Sequence, residues 1–331
     1  MHEVLILLIF CMVLFVYIHV HFHLKTSNDL ELYQIEQPSK EKLEEICDLR
    51  QPVVFDYTNE RLLDVCRRDI MRDTYGAFDV KVRNIAISLD DEEEMHMPLT
   101  LTSALTATLE DSQSKYLIEN NRDFLDETGV VKAYQYNDEF IRPYMVASCH
   151  YDYSTASNGL RTPFRYDVNY RNYYLVTEGN VRVKLAPPRS SRYLFPHNDY
   201  ENFEFRSPIN PWDVQLQYKP DFDKVKCLEV SLSRGQMIYV PAYWWYSFEY
   251  GDVTSIASFK YRTYMNTVAV LPKLIMRVLQ TQNVKRKVAQ EVAQHTEHYK
   301  AKDDNPKDDN AKDGMLDGNQ EVVPNEKNIV Y

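Results

Sequence analysis

His150-Tyr151-Asp152 sets an imidazole and a carboxylate two residues apart, and residues i and i+2 of a β-strand share a face. With His197, which follows Phe195-Pro196 in a loop, the trio offers two nitrogens and an oxygen, a donor set that suits a first-row metal. A strand histidine serves equally well as hydrogen-bonded core or as surface, so the metal reading has a plain competitor. His19, His21 and His23 alternate in the same way, either as a metal clip or as a polar flank at lipid headgroup depth. The acidic run Asp90–Glu94 reads as a solvated loop, since nothing nearby gathers further ligands for a cation. The five cysteines (Cys11, Cys47, Cys66, Cys149, Cys227) are odd in number and scattered. They form neither a disulfide framework nor a zinc spacing, which points to a reducing compartment.

The elements that would position such residues are mostly strands. In 331 residues there are 25 tyrosines and only 8 glycines, and aromatic side chains favour pleated, half-buried surfaces. Gly235–Tyr250 holds a strand-length apolar run, Met237–Val240, closed by Pro241, which cannot donate to a ladder. Trp244 and Trp245 follow, then a second strand. The net charge of -11 excludes a nucleic-acid binder that works by displacing counterions with a basic face.

Val4–Val20 is almost continuously apolar and, with Phe22 and Leu24, long enough to cross a bilayer. Met1-His2-Glu3 lacks a positive start and no small-residue cleavage site follows, so residues 1–25 are expected to be an uncleaved anchor. Lys25 after the span and Glu3 before it place the remainder on the cytosolic side of a single-pass membrane protein. Residues 26–36 read as a polar linker. Ser39 reads as a helix N-cap, Val53-Val54-Phe55 as a strand, and Leu62–Met71 and Leu99–Leu109 as helices. Leu271–Ala293 carries a stripe of Leu274, Ile275, Val278 and Leu279, suited to a homodimer or to packing on the same domain. Residues 267–300 are therefore assigned as a helical segment. From residue 301 to 331 the chain repeats Lys-Asp-Asp-Asn and is expected to be disordered.

Two motifs resemble the cupin-like domains of the JmjC dioxygenase type. One is Gly235, an apolar run, Pro241, two residues, Trp244, one residue and then Tyr246, where the family has its last metal-binding histidine. The other is Thr162-Pro163-Phe164-Arg165-Tyr166-Asp167, followed by Asn172, Gly179, Arg182 and Pro187-Pro188, where active members carry Thr/Ser-Pro-any-His-any-Asp/Glu. Residues 37–266 are expected to form this domain. The two motifs are also similar to those of cupin-like proteins of large DNA viruses.

The resemblance implies a mainly β fold with flanking helices, a double-stranded β-helix of the cupin or jelly-roll kind. It also implies a facial triad for Fe(II), with 2-oxoglutarate as cosubstrate. Carried onto this chain, Asp167 is retained, but Arg165 and Tyr246 stand in for the two histidines and Val181 for the cosubstrate lysine. Arginine has no lone pair to offer a metal. The expectation is a degenerate site without iron or 2-oxoglutarate, in which Arg165 pairs with Asp167 and the Tyr246 hydroxyl joins them. The chain would then be a membrane-anchored binding or structural module. The alternative is an Fe(II)/2-oxoglutarate hydroxylase or demethylase with atypical ligands.

Overall fold

Alternating side chains decide which side of each strand is buried, and two sheets follow from that pattern. The computed structural model describes residues 2–85 and 96–282. Among them a nine-stranded sheet runs in the spatial order Tyr33–Ile35, Val53–Asp56, Gln236–Val240, Arg171–Glu178, Ser255–Thr263, Val146–Ala156, Tyr116–Ile118, Asp79–Asn84, His96–Thr100. A six-stranded sheet follows the order His197–Asp199, Glu204–Arg206, Arg165–Tyr166, Trp245–Tyr250, Asn180–Ala186, Leu228–Ser233. Apart from the parallel pair Tyr33–Ile35 with Val53–Phe55, neighbouring strands are antiparallel.

The two sheets close on one apolar interior. Tyr174, Val176, Ile238, Val240 and Ile256 of the large sheet meet Val181, Val183, Leu185, Phe248 and Tyr250 of the small one. The intervening residues of the large sheet, among them Tyr173, Leu175, Ala257, Phe259 and Tyr261, point the other way. There they pack against helices that supply Leu43, Leu62, Leu105, Leu125 and Tyr134. This is the expected double-stranded β-helix with flanking helices. The chain passes between sheets at Gly179, whose φ of +72° and whose closeness to the Val253 carbonyl (2.8 Å from an added Cβ) both require glycine.

Local signals survive in detail. Ser39 Oγ accepts from the Lys42 amide and caps the helix Lys40–Cys47. The strand Gln236–Val240 ends at Pro241. Residues expected as one helix over Leu62–Met71 form two, Glu60–Val65 and Arg68–Tyr75.

His2–Leu24 is a single helix, long and apolar enough to cross a membrane. It does not swing on a free linker. His23 is buried, with Nε2 3.2 Å from Thr263 Oγ1 and its ring 5.0 Å from that of Tyr170. The expected linker 26–36 is corrected in its second half. Tyr33–Ile35 adds to the large sheet, because Leu30, Leu32, Tyr33 and Ile35 are apolar enough to be held against the two cores. Residues 271–282 are helical. Leu274 packs near Phe205, while Leu271, Ile275, Val278 and Leu279 stay exposed. Asp90–Glu94, the expected continuation of the helix beyond residue 282 and the expected disordered tail 301–331 lie outside the described residues.

Candidate functional site

Four strands bring charge to one end of the interior. Arg165 lies on the short strand Arg165–Tyr166, bridged to Tyr246 in the antiparallel ladder, and Asp167 follows directly. The strand Ser255–Thr263 sends Ala257, Phe259 and Tyr261 to the helices, so Lys260 and Arg262 face the other way. Glu119 directly follows the strand Tyr116–Ile118. All but Glu119 line an open cavity of about 870 Å³, together with Asn120, His150, Phe203 and Glu204.

Arg165, Asp167 and Tyr246 are neighbours, but the ion pair expected between Arg165 and Asp167 is absent and each finds another partner. Lys260 Nζ sits 3.0 Å from Asp167 Oδ1. Asp167 Oδ2 accepts from the hydroxyls of Tyr174 (2.7 Å) and Tyr246 (2.8 Å). Tyr246 thus joins Asp167 as expected. Arg165 Nη1 donates instead to Glu119 Oε2 at 2.6 Å, with its guanidinium 5.4 Å from the centre of the Tyr246 ring. Glu119 is fully enclosed and takes a second guanidinium, that of Arg83, at 2.6 Å. Arg83 in turn reaches Glu204, which also pairs with Arg206 and accepts from Asn120 Nδ2 at 2.6 Å. The physical reason is charge matching. A buried guanidinium with a nearby doubly acidic network leaves Asp167 to the ammonium on the facing strand.

Protonation states follow from these contacts. Burial works against the Asp167 carboxylate, but Lys260 and the two tyrosine hydroxyls outweigh it and hold its pKa below the ordinary value. Burial also works against the Lys260 ammonium, and Asp167 and Tyr246 overcome it, so lysine stays charged. Glu119 is held low against burial by Arg165 and Arg83. Burial pushes the Tyr246 phenol up to about 12, with the Asp167 charge adding to it, so it remains a donor.

These residues do not fit an iron triad. Arg165 offers no lone pair, Tyr246 is a neutral donor, and both oxygens of Asp167 are occupied by protein groups. Val181 is buried among the apolar residues of the interior, while Arg182 faces away from it to pair with Glu229. Among the described residues no three His, Cys, Asp or Glu side chains gather to hold a metal. His150, Asp152 and His197 are not brought together. His150 lines the cavity, Asp152 accepts the backbone N–H groups of Asn120 (2.9 Å) and Asn121 (2.8 Å), and His197 is exposed on an edge strand. The other motif residues frame the site. Thr162 Oγ1 accepts the Phe248 amide at 2.9 Å, Asn172 Nδ2 donates to the Val240 carbonyl at 3.2 Å, and Trp244 is wholly buried.

Sequence reasoning missed Lys260, and its one available signal was ambiguous. Ser258, Lys260 and Arg262 alternate with apolar residues, a pattern that ordinarily marks a solvent face. Nothing local in the sequence ties Glu119 to Arg165, 46 residues away.

Comparison with known proteins agrees with this architecture. A 102-residue stretch is 32% identical to HSPB1-associated protein 1 of Rattus norvegicus and of Homo sapiens, covering 30% of this chain and 21% of theirs. The Danio rerio homolog of that protein is 28% identical over 97 residues, 29% of this chain and 22% of its own. The chain therefore matches only about a fifth of the length of these curated relatives. Residues 38–263 match the cupin-like domain as a family, and with two facing antiparallel sheets around the site described, the chain belongs to that JmjC-like cupin family.

Proposed function

We propose that this chain is a membrane-anchored cupin-like domain that has exchanged its iron site for an internal ion-pair network and works as a binding module. The supporting observation is the Lys260 ammonium, 3.0 Å from Asp167, at the position where the family's resemblance places a metal. A cation fixed on the protein competes with any dication for the same carboxylate. The Tyr246 hydroxyl completes the arrangement as a donor. The relatives are named for association with HSPB1, which favours a protein-binding context for the domain. The helix His2–Leu24 supplies the anchor.

Two measurements test this reading. Purified full-length protein should carry no stoichiometric iron and should not decarboxylate 2-oxoglutarate. Asp167-dependent decarboxylation would replace it with a hydroxylase using atypical ligands. Full-length protein should also stay in the membrane pellet through carbonate extraction, and its release would remove the anchor.

A further inference from the structure

The cavity is basic although the protein is acidic. Among the described residues, seven Lys or Arg side chains line it against three carboxylates, Asp167, Glu201 and Glu204. Five of the seven have a carboxylate partner. Lys260 has Asp167, Arg165 has Glu119, Arg206 has Glu204, Lys81 has Asp123 and Arg122 has Asp126. Arg262 and Arg277 remain, and no carboxylate among the described residues lies within ion-pair distance of either.

Their positions are related. Arg262 stands two residues beyond Lys260 on the same strand face, towards the cavity mouth. Arg277 reaches the same cavity from the helical residues 271–282. Both guanidiniums rest on the Phe203 ring, 5.4 Å and 5.6 Å from its centre. Arg262 donates through Nε and Nη2 to one neutral acceptor, Asn169 Oδ1, and Nη1 has no acceptor among the described residues. Burial, and then the charge on Arg277, hold its pKa below the ordinary value, against the opposing pull of the Asp167 carboxylate. Two like charges sharing one ring, with no carboxylate ion-paired to either among the described residues, are an arrangement that an anion relieves.

We infer that Arg262 and Arg277, over Phe203, form a site for the phosphoryl group of a small phosphate monoester bound in the cavity mouth. The charge of such a group, between one and two negative units near neutral pH, matches two guanidiniums that have no ion-paired carboxylate among the described residues. The planar donor fork of arginine suits its oxygens. The cavity volume lies in the range of small-ligand sites, and the aromatic floor of Phe203, Phe205 and Tyr166 would meet the apolar part of the ligand. The inference deepens the binding-module reading, yet it needs neither iron nor its absence.

The test uses the full-length chain in detergent micelles, titrated calorimetrically with phenyl phosphate and, separately, with succinate. Phenyl phosphate should bind saturably and more tightly than succinate. Arg277→Gln and Arg262→Gln should each weaken it at least tenfold. Arg277 is exposed and repels Arg262, so its replacement should not lower the ligand-free thermal melt, and Arg262→Lys provides a milder change on the strand. Tighter binding of succinate would overturn the phosphoryl assignment. An absence of saturable binding, or binding unaltered in both glutamine variants, would overturn the site. Stoichiometric iron with intact phenyl phosphate binding would sink only the metal-free function.

Discussion

Lys260 and Asp167, 93 residues apart in the chain, approach to 3.0 Å, and their pairing defines the state of the barrel mouth. Both side chains are about four-fifths enclosed, at 21% and 17% exposed. Removing either partner strands the other in a poorly solvated place. Lys260→Met or Asp167→Ala should each cost about 2–4 kcal/mol, somewhat under the range for fully dry pairs. Replacing both by apolar residues should recover much of that loss, because two desolvated charges disappear together. Urea denaturation of the four proteins in the cycle measures this, and additive single costs would show that the pair is uncoupled.

Glu119 should be the more sensitive position. Its carboxylate receives Arg165 and Arg83, both at 2.6 Å, while only 4% of the side chain is exposed. Glu119→Ala leaves two guanidiniums facing one another across the vacated site. A loss of roughly 3–5 kcal/mol is expected, larger than for Asp167→Ala. Equal midpoints for the two variants in the same denaturation series would contradict the ranking.

The reason one part of this architecture was readable in the sequence and another was not lies in the range of the forces involved. Strand alternation, the Ser39 cap and the Pro241 stop are set by residues next to each other, and each appears where the pattern puts it. The motif positions Arg165, Asp167 and Tyr246 also meet, because the barrel topology brings their strands together. Pairing among buried charges is settled by tertiary distance. Arg165 and Asp167 share a sequence neighbourhood, yet Glu119 and Lys260 come closer, from strands with no local mark of that role. The edge strand Tyr33–Ile35 was hidden for a similar reason, since three residues in a polar stretch carry little periodicity.

Restoring the family's ligands should require a third substitution. Arg165→His with Tyr246→His supplies two imidazoles, but it leaves Lys260 on Asp167 and orphans Glu119 from one of its cations. The double variant should therefore bind cobalt(II), a spectroscopic stand-in for iron, weakly or not at all. Adding Lys260→Ala frees the carboxylate, and visible absorption of bound cobalt should appear only then. Tight binding by the double variant would show that Lys260 yields readily to a dication.

His150 gives the site a pH dependence whose sign can be worked out. Burial, and then the Lys260 ammonium opposite it in the ladder, push its pKa down to about 4, with Arg122 and Arg262 adding to the effect and Asp167 opposing it. The unfolded chain, with an ordinary histidine near 6.5, binds more protons than the folded one between about pH 4 and 6.5. The neutral folded imidazole thus contributes stability that is fully present above about 6.5 and is lost as pH falls through 4. Asp152, two residues along the same strand, has the opposite sign. Burial raises it to about 6 despite the amides of Asn120 and Asn121, so its contribution is present below the ordinary carboxylate value and lost as pH rises through 6. The two offset each other, and the unmodified protein should show a shallow profile in this window. His150→Gln removes one side of the balance. Its stability relative to the unmodified protein should be greatest at pH 4 and decline to a plateau above 6.5, over a span of about 3 kcal/mol at most. Denaturation midpoints at half-unit pH steps measure the difference, and a difference that stays constant from pH 4 to 7 would mean that His150 is solvated and titrates normally.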